Sequence, residues 1–600
     1  LGAEPVHTRW LEEYEPHFIM NTEIQKILNE VQKPARYTGG EINSVCKTFT
    51  KDRTSVVLAY PDTYEVGMSY LGLRILYHLL NEKDDILCER VFMPQMDMRE
   101  RLRLAGEKLF SLESKTALDK FDIIGFSLSY ELTYTNVLDI LNAGGIPPVS
   151  SARGEEDPLV IAGGALCYNP EPMSGFIDIF IIGDGEEAFL KFIASYKELK
   201  KKKLSRKQII KTLAEAEGTY APSLYEAEFS GNKFLRLKPM EASVPETIKK
   251  VYVKTLESAY YPVKQIIPFI RIVQDRISVE IMRGCPNKCR FCQAVNVTRP
   301  VRLRTPETIR RILRETYRNT GYESFSLLSL SSMNYPNLPK LISAVKKDFE
   351  GEGIGISIPS LRIDESFYEL PGIISSLRKT GLTFAMEAAD PALRESLGKE
   401  IDFEVLCKSA LLAFRHGWQR MKLYFMVGFP GESKIEAEKI AGIAKKLSML
   451  KKSVSSSSAE IRLSINPFVP KAHTPFQWLG MKKEESLRET KEKFRFYSQR
   501  KIKFEFHDLK QSILEGALAR GDRKTSDIIH TAWQNGAIMD GSLECFDVKI
   551  WEESFKENGL DLYESACKTY ALNDVLPWSH IKTGVDEELL KSEFKASGFG

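Results

Sequence analysis

The sequence predicts an α/β protein: a Rossmann-like N-terminal domain, a partial (β/α)6 barrel, and a mostly helical C-terminal region. Two observations carry this. Short β-branched runs alternate with helical stretches over residues 53–200, and the same alternation restarts at 276. That pattern is the signature of parallel sheets with crossover helices. A third observation gives the second series its chemistry. Of nine scattered cysteines, only those at 285, 289 and 292 cluster, just past its first strand candidate.

In the first series the strand candidates are 55–59, 123–127, 159–162 and 179–182, with helices near 71–80 and 135–141. The segment 1–19 precedes Met20 and reads as a scar or upstream extension, outside the fold argument; the first domain is then 20–200. Residues 201–272 are charged and proline-interrupted and read as a connector. The second series has strand candidates at 277–282, 324–330, 355–358, 382–387, 422–427 and 462–466, six where a closed barrel has eight. It gives a barrel domain of 273–485, with the helical, charged stretch 486–600 as the C-terminal region.

Composition narrows the function classes. The 600 residues include 84 basic and 81 acidic side chains, a net charge of +3, so no global basic field announces a nucleic-acid binder. Hydrophobic residues make up 43% and charged residues 28%, an ordinary globular balance. No apolar run approaches the roughly 18 residues of a membrane span, and no secretory signal opens the chain, so no membrane partner is predicted and the cytoplasm is the expected compartment. Nine irregularly spaced cysteines do not describe a disulfide framework.

The run Val279-Glu-Ile-Met-Arg-Gly-Cys285-Pro-Asn-Lys-Cys289-Arg-Phe-Cys292 places three thiols on the loop leaving a barrel strand, at the face where β/α barrels gather their chemistry. Three thiolates can hold three irons of a cubane and leave the fourth open to substrate. Zinc is the alternative, but it commonly takes four ligands from paired C-x-x-C units, and the spacing here differs. The spacing C-x-x-x-C-x-aromatic-C after a strand resembles the radical S-adenosylmethionine (SAM) motif. That resemblance implies a 4Fe-4S cluster on Cys285, Cys289 and Cys292 as metal ligands and catalytic centre. The open iron would chelate SAM, and reduction would yield a 5′-deoxyadenosyl radical. It also implies an electron donor such as a flavodoxin or ferredoxin. By the same resemblance, Ser331 and Ser332 after the second strand, Ser360 and Arg362 after the third, Glu387 after the fourth and Gly428 after the fifth are the SAM-contacting candidates.

In the first domain, Asp62-Thr-Tyr64-Glu-Val-Gly67 resembles the cobalamin-binding pattern Asp-x-His-x-x-Gly, with Tyr64 in the place of the histidine. Ser127 and Ser129, Gly163 and Gly164, and Gly183, Gly185 and Glu186 stand at later strand ends, where an open α/β sheet binds its ligand. They complete the cobalamin-contacting set. Phenol is a poor substitute for imidazole on cobalt, so the cofactor would lack a histidine bond. A flavodoxin-like domain kept for packing is the competing reading.

Wider stretches, Val31-Gln-Lys-Pro-Ala-Arg-Tyr-Thr-Gly-Gly-Glu41, 60–67, 466–478 and Leu576-Pro-Trp-Ser-His580, resemble a bacterial family of B12-binding-domain/radical SAM fusion proteins from about Met20 onward. The resemblance implies cofactors but no assigned substrate; a small molecule, RNA or protein all remain open. The leading expectation is a cobalamin-dependent radical SAM methyltransferase acting on an unactivated carbon. A rearrangement or cyclisation enzyme, a methylthiotransferase-like RNA or protein modifier with a second cluster on Cys46, Cys88 and Cys167, and a non-catalytic B12 sensor stand beside it. His473, after the sixth strand, is either a proton donor or a satisfied loop histidine. Cys545 and Cys567 are remote candidates for ligands or thiyl donors.

Overall fold

A computed structural model describes residues 22–359 and 382–600. The first sheet is built from β1 (Thr54–Tyr60), β2 (Ile86–Phe92), β3 (Ile123–Ser127), β4 (Leu159–Gly163), β5 (Ile179–Ile181) and β6 (Thr219–Tyr220). They lie in the order β2-β1-β3-β4-β5-β6, all parallel except β6. β1 is buried at all seven positions of Thr-Ser-Val-Val-Leu-Ala-Tyr, the continuous apolar run expected of a strand covered on both faces. The 2-1-3-4-5 order reverses between β1 and β3, which makes their carboxyl ends the switch point of the sheet. β6 and the capped helix Arg206–Leu213 fall inside the stretch that reads in sequence as a connector, so the first domain runs past residue 200. A hairpin of β7 (Tyr225–Ser230) and β8 (Lys233–Pro239) and the short β9 (Ile248–Lys249) follow.

The second series begins with β10 (Ile277–Glu280) and the short antiparallel pair β11 (Met282–Arg283) and β12 (Arg302–Leu303). The helix Pro306–Thr320 returns the chain, with Thr305 as its capping residue, Pro306 in the first turn and Gly321 at φ 68° ending it. β13 (Ser324–Leu328) and β14 (Gly355–Ser357) join β10 in one parallel sheet. β15 (Leu382–Glu387), β16 (Arg420–Val427), β17 (Glu460–Pro467) and β18 (Ile502–Phe506) form a second. The described residues thus hold seven parallel strands of this series, one more than the sequence suggested. β18 lies beyond 485, in the region expected to be helical.

The C-terminal region is not a separate appendage. Helices Leu509–Ala519, Thr525–Gln534, Val548–Glu557 and Leu562–Cys567 share a single apolar core with the first sheet, where Leu514, Ile528 and Trp551 pack in one cluster with Val57 and Ile124. Thr135 donates to Asp540 at 2.8 Å, and Arg523 pairs with Glu171 at 2.9 Å. The last strand, β19 (Ile581–Lys582), lies parallel to β9. A third core of Phe429, Phe468, Phe476, Trp478, Trp578 and Phe594 seats the final helix, Glu587–Ala596, on the barrel loops. Among the described residues no helix is long and apolar enough to cross a membrane.

Candidate active site

The cysteine loop is shaped by a glycine. Gly284 has φ 90°, and a Cβ there would stand 3.0 Å from the Thr298 carbonyl oxygen and 3.1 Å from that of Pro300. Only a residue without a side chain fits this turn, and it delivers Cys285 to the carboxyl end of the first barrel strand. Cys285 and Cys289 are buried and cluster with Val295, while Cys292 and Phe291 pack against them. The Asn287 amide donates to Cys285 Sγ at 3.2 Å, and the backbone N–H groups of Ala294 and Val295 reach Cys292. Burial pushes the Cys289 thiol up to about 11, against the pull of the Lys399 ammonium.

These features fit an iron–sulfur cluster. Three thiols share an apolar pocket, and N–H donors point at sulfur, a recognised influence on cluster potential. Iron binding must displace their protons. Among the described residues no three His, Cys, Asp or Glu side chains are grouped as ligands of a single ion; a cubane asks for something different, since each thiolate bonds its own iron.

The loop is held from outside by Arg290. Its backbone N–H donates to Leu397 O at 2.9 Å, its guanidinium reaches Glu395 O at 2.9 Å and Ser396 O at 3.0 Å, and it pairs with Glu593 of the final helix at 2.9 Å. A Cβ on Gly398 would lie 2.4 Å from Lys288 O, so the two segments are in backbone contact.

Among the SAM candidates, Ser331 and Ser332 lie beside the cysteine loop: Asn287 Nδ2 reaches Ser331 Oγ at 3.2 Å, and Ser332 Oγ donates to Pro359 O at 2.6 Å. Glu387 ends β15 at φ 68° with Lys399 Nζ 3.6 Å from its carboxylate, and burial raises its pKa. Gly428 has φ 95°, but its N–H is taken by the Glu432 carboxylate, and a Cβ would meet Leu487 Cδ2 at 2.8 Å. Its glycine therefore answers a local packing need. Ser360 and Arg362 lie outside the described residues.

In the first domain each motif residue has a local partner. The Tyr64 hydroxyl donates to Glu41 at 2.9 Å and is buried with it, so Tyr64 is committed to the core rather than offered to a metal. Gly67 is needed because a Cβ would stand 2.3 Å from the Phe92 ring, and Asp62 accepts the neighbouring Thr63 N–H at 2.6 Å. At the switch point, Ser129 Oγ bonds Tyr60 Oη at 2.7 Å at the ends of β1 and β3, with Ser127 half-buried beside them. Gly164 has φ 112° against the Leu128 carbonyl, whereas the Cβ direction of Gly163 is open to 3.8 Å.

The last three candidates serve the domain junction. A Cβ on Gly183 would stand 1.9 Å from Val251 O. Gly185 opens the helix Gly185–Lys201, and Glu186 pairs with Arg283 at 2.7 Å. Arg283 also reaches Glu280 at 2.8 Å and Asp184 at 3.3 Å, and Arg302 takes the other Asp184 oxygen. Arg283 sits two positions before Cys285, so the β5 end of the first sheet is bonded directly to the root of the cysteine loop. Arg283, Lys399 and Glu41 were missed by sequence reasoning; a charged residue next to a motif gives no sign of its distant partner.

Cys88 and Cys167 are each 1% exposed, on β2 and after β4, with β1 and β3 between those strands, and Cys46 is exposed. They do not form a second three-thiol set. His473 is buried with Nε2 2.8 Å from Tyr168 O and its pKa lowered to about 4 by desolvation, which makes it a satisfied loop histidine.

Residues 72–222 match the family model for radical SAM proteins, N-terminal, and residues 279–444 that of the radical SAM superfamily. An uncharacterized protein of Methanocaldococcus jannaschii is 26% identical over 515 residues, 83% of this chain and 98% of its own. Among solved structures, the radical SAM methyltransferase TsrM from Kitasatospora setae, with cobalamin and a 4Fe-4S cluster bound, is 12% identical over 69% of this chain and 75% of its own, with a TM-score of 0.47. The cobalamin-dependent SAM radical enzyme OxsB with aqua-cobalamin bound is 11% identical over 91% and 79%, with a TM-score of 0.45. The cysteine loop opens the second matched segment, and the chain carries radical SAM domains, whose implied cofactors are an iron–sulfur cluster and SAM.

Proposed function

We propose that this chain is a cobalamin-dependent radical SAM enzyme that methylates an unactivated carbon. The observation that supports it is the Arg283 junction, which ties the carboxyl end of β5 to the root of the cysteine loop. Parallel α/β sheets and β/α barrels take their ligands at strand carboxyl ends, and this junction joins one such end to the other, the arrangement that transfer between two cofactors would need.

When bound, the cluster and SAM supply an adenosyl radical and cobalamin a transferable methyl group. The protein's part is to hold and to exclude. Cys285, Cys289 and Cys292 hold the cluster, Ser331, Ser332 and Glu387 line the SAM side, and Ser127, Ser129, Gly163 and Gly164 line the corrinoid side. No histidine lies between His17 and His78 in the sequence, and His78 is buried in the helix Leu71–Asn81. Bound cobalamin would therefore lack an imidazole from the 62–67 motif, where Tyr64 stands in the histidine's place. The electron comes from a flavodoxin- or ferredoxin-type donor in the cytoplasm.

The test is to incubate anaerobic, reconstituted enzyme with methyl-deuterated SAM and fractionated cell extract, then to seek a labelled methyl group in RNA, protein and small molecules. Label in one fraction names reaction and substrate class. Substrate-dependent 5′-deoxyadenosine without transferred label would replace this reading with a rearrangement.

A further inference from the structure

Two opposite charges are held near the cysteine loop, one at the end of β15 and one in the segment that follows it. Glu387, a non-glycine residue at φ 68°, comes just after a register shift between Ala385 and Glu387. Backbone in this region is strained and persists where its surroundings hold it. The helix Pro391–Ser396 then turns back on itself, with Gly398 N donating to Glu395 O and Lys399 N to Arg394 O, each at 2.9 Å. This exit lies on the cysteine loop through the Arg290–Leu397 hydrogen bond and the close approach of Gly398 to Lys288 O. It brings Lys399 Nζ to 3.6 Å from Glu387 Oε1, with the two side chains only 17% and 12% exposed. Lys399 acts electrostatically on both Cys289 and Cys292, and Glu387 acts more weakly on Cys289.

We propose that Lys399 and Glu387 are positioning residues that set the reduction potential of the cluster on Cys285, Cys289 and Cys292, the ammonium favouring the reduced state and the carboxylate opposing it. The inference rests on the cluster reading above. Reduction adds one negative charge to a centre already carrying three thiolates, and a nearby cation lowers the energy of that added charge. Burial leaves the interaction poorly screened by salt. Cluster potentials respond to local charge and solvent exposure, so a pair of this kind beside the thiols is a direct lever on them. Of the two charges Lys399 is the stronger influence on Cys289, so its effect exceeds that of Glu387.

The test is a potentiometric titration of the anaerobic, reconstituted full chain without SAM, followed by electron paramagnetic resonance. Dithionite supplies one electron per cluster, and no bond forms or breaks. Iron is counted first: a wild-type chain that takes up none overturns the cluster reading itself. With about four irons per chain retained, Lys399→Met lowers the midpoint potential, Glu387→Gln raises it, and Lys399→Arg stays near wild type. A Lys399→Met midpoint that is unchanged or raised, with iron intact, overturns the inference while leaving the cluster in place. Should Lys399→Met fail to fold, Glu387→Gln decides: a raised midpoint supports the pair, and an unchanged or lowered one overturns it.

Discussion

The hydroxyl of Tyr64 donates to Glu41 at 2.9 Å, and the other Glu41 oxygen accepts from Arg90 at 2.8 Å, inside the first domain. Arg90 is in turn bonded to Glu113 at 2.6 Å, with both side chains 1% exposed. A phenol in the place of a metal-binding imidazole is thus explained by its partner: Glu41, from the Thr-Gly-Gly-Glu stretch, needs a buried donor, and Arg90 holds its pKa down. Tyr64→Phe removes that donor and leaves a buried carboxylate oxygen under-satisfied, a loss of about 1–3 kcal/mol. Urea unfolding checks the stability. The resonance spectrum of bound Co(II) cobalamin should not change, and altered hyperfine structure would show the phenol to be on the metal.

Replacing Cys285, Cys289 or Cys292 by Ala should abolish both the cluster and reductive SAM cleavage, with at most modest loss of folding, since the barrel's apolar core of Val279, Leu327, Phe384 and Ile465 does not involve these thiols. Iron analysis and 5′-deoxyadenosine formation after dithionite are the measurements. A Cys289→Ala chain that still cleaves SAM at near the wild-type rate contradicts the assignment.

Arg283 is 15% exposed at its side chain and faces Asp184, Glu186 and Glu280. Arg283→Met leaves Glu186 and Glu280 without their shared cation and Asp184 with Arg302 alone, and should cost about 3–5 kcal/mol. Glu186→Gln removes one of three acids and keeps a hydrogen-bonding group, so its cost is smaller, about 1 kcal/mol. The ordering of the two variants in thermal unfolding is the check, and limited proteolysis of the Arg283→Met protein should open the junction first.

Asp540 is 1% exposed, accepts from Thr135 at 2.8 Å and from Trp551 Nε1 at 3.0 Å, and has its pKa raised to about 6 by desolvation. A folded-state value above the unfolded one, about 3.9, means that the folded chain keeps the proton longer. Its stabilising contribution is full below about pH 3.9 and is lost as pH rises through about 6, roughly 3 kcal/mol in all. Asp540→Asn lacks this slope. The difference in unfolding free energy between wild type and variant, measured from pH 4 to 7, should therefore fall as pH rises.

How far the sequence carried the structure depended on whether a signal was local. The fully buried run of β1 and the cysteine loop that leaves β10 are both local signals, and each stands where pattern placed it. β18 is an instructive miss: Ile502-Lys-Phe-Glu-Phe506 alternates apolar and charged residues at strand period, but it lies among helical stretches and was absorbed into them. β6 was hidden by its length of two residues. Tyr64, Gly67 and Glu186 show a second kind of signal. A motif's residues can be kept by their neighbours in the core, here Glu41, Phe92 and Arg283, and such partners are invisible until the chain is folded.

The sharing of one core between the first sheet and the C-terminal helices constrains how the chain is made. Thr135 and Asp540 are 405 residues apart, and β9 waits for β19, so the core shared with the first sheet is not complete until residues 509–582 have been synthesised. Such long-range pairing slows folding and prolongs the exposure of apolar surface. During that interval the β9 edge and the sheet surface destined for Leu514 and Ile528 are open to wrong partners. Residues 22–250 expressed alone should behave as an aggregation-prone fragment, and productive folding in the cell should lean on chaperones until the helices of 509–567 have emerged.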